Sequence, residues 1–72
     1  MQPHVVANVR AELRRRGWRQ RELADRSGLP AEHISNLLRG QRDWWLRDLW
    51  FVSKALGMDI LDLFPMEDHR AA

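Results

Sequence analysis

Gly17, Gly28, Gly40 and Gly57 divide the chain into stretches of helix length, and each follows a run whose apolar residues recur at helical spacing. Glycine accepts the left-handed backbone that closes a helix at little cost, so each reads as a C-terminal stop. Pro3 precedes the first stretch and Pro65 closes the last. No segment reads as a strand, since the one β-like patch, at Trp50 to Val52, lies inside a helical pattern. This punctuation predicts an all-α chain.

Five helices follow. The first spans about 4–16, with Val5, Val9 and Leu13 on one stripe. The second spans about 20–27 and buries Leu23 and Ala24. The third, about 31–39, starts after Pro30, whose fixed φ suits a helix start, and turns Ile34, Leu37 and Leu38 inward. The fourth is expected over about 44–56, with Asp43 as N-cap and Leu46, Leu49, Val52 and Leu56 inward. The fifth is a short piece at 59–64, capped by Asp59, with Ile60, Leu63 and Phe64 packing back. Seventy-two residues allow one small core, so 1–72 is read as a single domain with its core over about 4–65 and a frayed tail at 66–72.

Several function classes are excluded at this point. There is no cysteine, hence no disulfide framework and no thiolate metal site. No apolar run approaches the roughly 20 residues of a membrane span, and no signal-peptide pattern is present, so a cytoplasmic protein without membrane contact is expected. His4, His33 and His69 are scattered, and no nucleophile–base or metal-ligand spacing recurs. The expectation is a non-enzyme with no cofactor and no metal.

The net charge of +2 conceals an asymmetry: residues 1–42 carry +5 and residues 43–72 carry −3. Eleven of the twelve basic side chains are Arg, the side chain suited to planar, bidentate contact with phosphate. The first half is therefore the candidate polyanion face. Within it, residues 20–39 read as two helices and a tight turn, with the small Ala24 where the helices touch and Gly28 where φ > 0 is wanted. Leu29, Ile34 and Leu37 lock the second helix onto the first. That is the spacing of a helix-turn-helix, which holds its second helix out to lie in the major groove.

With those residues in place, the chain resembles the Cro/C1-type (XRE-like, lambda-repressor-like) helix-turn-helix proteins. The resemblance runs from Val5 to Phe64 and rests on VRAELRRRGWRQRELADRSG, HISNLLRGQRD and VSKALGMDILDLF. Within these, Gly17, Trp18, Gln20, Leu23 and Ala24 meet one family pattern, Arg39-Gly40 a second, and Ala55 to Gly57 a third. The resemblance implies a compact five-helix domain that binds specific double-stranded DNA, often as a dimer on a palindrome. The chain departs from the family where Leu13 and Leu38 replace a buried Arg and Glu. Both partners change together, so no lone charge is stranded, an exchange that is often neutral or stabilising. Arg19 and Pro30 stand where Ser or Thr caps are usual, and Ser27 where an apolar residue is preferred.

The outward set of the third helix is Ala31, Glu32, Ser35, Asn36 and Arg39, with His33 at the flank. Matching family positions imply base reading by Ala31, Glu32 and Asn36. Ala can meet a thymine methyl, Glu can accept from cytosine N4, and Asn pairs with adenine. Gln20 opens the second helix, where backbone N–H groups attract anions, and its family counterpart grips phosphate. Arg19, Gln41 and Arg42 are the next phosphate or flanking contacts, with His33, Ser35 and Arg39 beside them. Arg14, Arg15 and Arg16 suit a helix C-terminus with or without DNA.

Four tryptophans in so short a chain also need a role. Trp18 is expected in the core and Trp44 over the turn after the third helix. Trp45 stands where an N-cap is expected, and Trp50 and Phe51 fall outside the inward stripe of the fourth helix. They mark either an interface, most simply a homodimer, or rings stacked under Arg47 and Lys54. The expectation is a stand-alone repressor that reads an inverted-repeat operator as a homodimer. The alternative is a protein-interaction module that keeps the fold and meets a protein partner through the Trp-rich helix.

Overall fold

The computed structural model describes residues 2–63. It contains α1 (Gln2–Arg16), α2 (Gln20–Ser27), α3 (Ala31–Leu38) and α4 (Leu46–Leu56), followed by a 3₁₀ turn (Ile60–Leu63). No strand occurs among the described residues. The core gathers Val5, Val9 and Leu13 from α1 and Leu23 and Ala24 from α2. Ile34, Leu37 and Leu38 join from α3, Leu49, Val52 and Leu56 from α4, and Trp44 and Leu63 from outside the helices. Three- and four-residue spacing places each set on one face of its helix. α2 packs against both α3 and α4, and α1 against α3 and the 3₁₀ turn. Leu13 and Leu38 are both buried in this cluster.

Two long-range hydrogen bonds fasten α1 to the rest. The Arg10 guanidinium donates to the Leu38 carbonyl at the end of α3 (2.8 Å), and the Asn8 amide donates to the Leu63 carbonyl (2.7 Å). Each satisfies a carbonyl that a helix end leaves without a partner. Neither residue stood out in the sequence.

The helix boundaries differ from expectation in three places. α1 starts at Gln2 and not at His4, with Pro3 in its first turn, where a missing N–H costs nothing. α4 starts at Leu46 and not at Trp44. Its cap is not Asp43: the Asp48 carboxylate reaches back to accept from the Trp45 N–H at 3.0 Å. Trp44 is buried before the helix begins, and Leu46, expected inward, is 74% exposed. The fifth element is a 3₁₀ turn over Ile60–Leu63, with the Asp59 carboxylate accepting from the Leu61 N–H. Phe64 and the tail at 66–72 lie outside the described residues.

Candidate nucleic-acid interface

The turn between α2 and α3 sets the attitude of the outward helix. Gly28 adopts φ 81° and ψ 3°, a left-handed conformation, and its N–H donates to the Ala24 carbonyl at 3.0 Å. Nothing lies within 4 Å of a Cβ built at Gly28, so the requirement for glycine there is conformational and not spatial. Ser27, unusual for its buried position, is fully used. Its hydroxyl donates to the Ala24 carbonyl (3.3 Å) and accepts from the Leu29 N–H (3.2 Å). That pairing removes the penalty a buried hydroxyl otherwise carries. Pro30 then starts α3 at φ −59°, and its carbonyl accepts the first helical bond from Ile34.

α3 is sharply two-faced. Ile34, Leu37 and Leu38 are buried, while Ala31, Glu32 and Arg39 are exposed and Ser35 and Asn36 partly so. The Arg39 guanidinium donates to the Asn36 amide oxygen at 2.9 Å, so these two side chains stand together on the outward face. That bond leaves the Asn36 NH₂ group as its outward donor. Gln20 is the first residue of α2, and Arg19, in extended conformation, is its N-cap without a side-chain bond. The Glu22 and Leu23 N–H groups donate to the Arg19 carbonyl, and the two N–H groups before them, at the tip of α2, face an external acceptor. Arg19, Gln41 and Arg42 are all exposed.

His33 has a role that the sequence did not disclose. Its Nε2 is 2.8 Å from a carboxylate oxygen of Asp48, and the other oxygen of Asp48 is the one that caps α4. Asp48 is only 2% exposed. One buried carboxylate thus links α3 to the first turn of α4, with both oxygens occupied as a buried charge requires.

The arginine run at the end of α1 splits. Arg15 and Arg16 both pair with Glu12, whereas Arg14 has no ion pair among the described residues. Partial burial acts to raise the Glu12 pKa, but the hydrogen bonds and charges of Arg15 and Arg16 outweigh it and hold the carboxyl below its ordinary value. Trp18 is half-buried at the edge of the core and not inside it. The guanidinium carbons of Arg16 and Arg26 lie 5.3 and 4.5 Å from its ring centroid, and Arg26 is steadied by Glu22 at 2.9 Å.

On α4 the aromatic surface is in the open. Trp45 is 67% exposed and Trp50 is 50% exposed, with Phe51 half-buried beside Trp50 in an edge-to-face pair (5.4 Å, 80°). Lys54 stands 5.0 Å from the Trp50 ring, as expected. Arg47, expected on the same ring, makes no ring contact among the described residues.

A helix-turn-helix family model matches residues 9–63, covering α2, the turn and α3 together with the helices that brace them. The chain belongs to the helix-turn-helix family, in its Cro/C1-type, XRE-like branch. This helix-turn-helix domain is 38% identical over 58 residues to an uncharacterised HTH-type transcriptional regulator, y4dL, of Sinorhizobium fredii. That alignment takes in 81% of this chain but only 30% of the relative's length. The domain also resembles the solved structure of the restriction-modification controller protein C.AhdI from Aeromonas hydrophila. The TM-score is 0.79 at 28% identity, over 85% of this chain and 92% of that one. Fold and family therefore agree with the sequence reading, with a 3₁₀ turn in place of the fifth helix. Among the described residues, no helix is long and apolar enough to cross a membrane.

Proposed function

We propose that the chain regulates transcription by reading a specific double-stranded DNA sequence with α3 in the major groove, and that it acts as a repressor by occupying an operator. The observation that carries this reading is the division of α3 between a fully buried apolar face and an outward face of small, polar and charged side chains of both signs. In it, Ala31, Glu32 and Asn36 read base edges. Arg19, Gln20, Ser35, Arg39, Gln41 and Arg42 hold the backbone and set register. His33, with Nε2 engaged by Asp48, has Nδ1 left for a flanking contact. The names of both relatives, a transcriptional regulator and a controller protein, support a regulatory role.

A homodimer on an inverted repeat completes the reading, with half-sites about 34 Å apart on one face of the duplex. The test is binding selection from a randomised duplex pool at two salt concentrations. An enriched inverted repeat is expected. Binding without enrichment that vanishes at the higher salt would reduce the domain to a basic surface.

The exposed Trp45, Leu46 and Trp50 favour one second reading, a module that binds a protein partner through α4. Gln20→Ala and Asn36→Ala separate the two: a DNA reader loses affinity with both, and a module that does not read DNA is indifferent to either.

A further inference from the structure

A cleft of about 430 Å³ opens between the first half of α1 and the loop that follows α3. Val6, Ala7 and Trp44 give it apolar walls, and Arg10, Arg39 and Arg42 are among the residues that line it. Among the described residues that line it, three are arginines and one, Asp43, is acidic, so this lining is net cationic. DNA phosphate needs the arginines but has no use for the apolar walls. We propose that this cleft binds an organic anion, a monocarboxylate carried on an apolar body.

The class of ligand follows from what the arginines already do. Arg10 gives one nitrogen to the Leu38 carbonyl and Arg39 gives one to Asn36. Arg42 makes no hydrogen bond or ion pair with any described residue, so it presents a whole planar fork. One such fork matches one carboxylate in a bidentate pair. The volume suits a small two-ring body, and apolar walls with few, well-placed polar groups are what hold such ligands. Arg10 is also tied to the end of α3, so an occupant touches the loop that anchors the recognition helix. With Arg39 and Arg42 assigned to the DNA backbone, the cleft becomes an effector site. That consequence rests on the regulator reading, whereas binding itself does not and is measured without DNA.

The experiment is a titration of the full chain with sodium 1-naphthoate, followed by amide NMR shifts. Saturable shifts are expected at Val6, Ala7, Arg10, Gly40 and Trp44, with a Kd on the order of 1 mM or tighter for a ligand of this size. Arg42→Ala is expected to weaken binding about tenfold through loss of the charge-assisted pair. Ala7→Trp, at an exposed position on the wall, keeps every charge and is expected to block the cleft. Neutral 1-naphthalenemethanol should bind about tenfold more weakly than the acid. No saturation by roughly 10 mM, or shifts centred on Trp45 and Trp50, overturns the proposal. Equal binding by the neutral alcohol, or the same shifts with inorganic phosphate, overturns it as well.

Discussion

The outward faces of α3 and α4 are both exposed, yet they are built from opposite materials. α3 presents Glu32, Ser35, Asn36 and Arg39, side chains that water already satisfies and that give up their hydration without loss only to a matching polar partner. α4 presents Trp45, Leu46 and Trp50, which gain nothing from water and whose covering is favourable whatever its chemistry. The first face therefore discriminates among partners, since an unmatched polar group is penalised. The second supplies affinity with little selectivity, as apolar burial does. Under the proposed function the two are complementary, one surface to choose the sequence and another to double the number of readers on it. Asp48 joins the two faces, bonded at once to His33 of α3 and to the first turn of α4.

The largest expected effect comes from cutting that join. Asp48→Ala removes a helix cap and a charged hydrogen bond together, and should lower stability by about 2 kcal/mol, or roughly 10 °C in the thermal midpoint. A melt unchanged within a degree or two would mean that the faces are mechanically independent.

On the α4 side, Trp50→Ala should shift the solution mass towards monomer, with a loss of about 2 kcal/mol if Trp50 is a central anchor. A dimer of undiminished stability in ultracentrifugation would remove Trp50 from the interface.

On the α3 side, Asn36→Ala should cost about 1–3 kcal/mol on the preferred duplex and relax selection at one base position, leaving the melt within about 0.5 kcal/mol. A uniform loss across all sequences would instead assign Asn36, with its Arg39 partner, to phosphate.

Away from both faces, the Glu12 cluster gives the smallest signal. The depressed Glu12 pKa means that its contribution is present above the unfolded carboxyl value and is lost as pH falls through the folded one. Glu12→Gln should thus be less stable at neutral pH by a few tenths of a kcal/mol and indistinguishable from the parent in acid. A difference that grows as the pH falls would contradict the pairing with Arg15 and Arg16.

Legibility along the chain follows how local each cause is. α2 and the start of α3 were readable almost to the residue, because Ala24, Gly28 and Pro30 act through their own backbone and nearest turns. The start of α4 was misread because Trp44 follows Asp43, a residue type suited to a cap, and Leu46 stands at helical spacing from Leu49. In fact one is buried before the helix starts and the other points to solvent. Asp48 has the position of a capping acid, three residues after the Trp45 cap. Its burial depends on His33, fifteen residues earlier, which no short pattern can reveal. Arg10 and Asn8 were missed for the same reason, since their acceptors are carbonyls that carry no side-chain signature. The outward set of α3 could be read from periodicity, whereas the pairing of Asn36 with Arg39 needed coordinates.

The Leu13 and Leu38 layer bears on how this molecule can be assayed. Where the family resemblance implies a buried ion pair between the first and third helices, Leu13 and Leu38 put hydrocarbon, which added electrolyte does not screen away. Ionic strength can then be varied widely without cutting an ion pair at those two positions. The slope of log affinity against log salt becomes a direct tally of the phosphates that the folded domain neutralises.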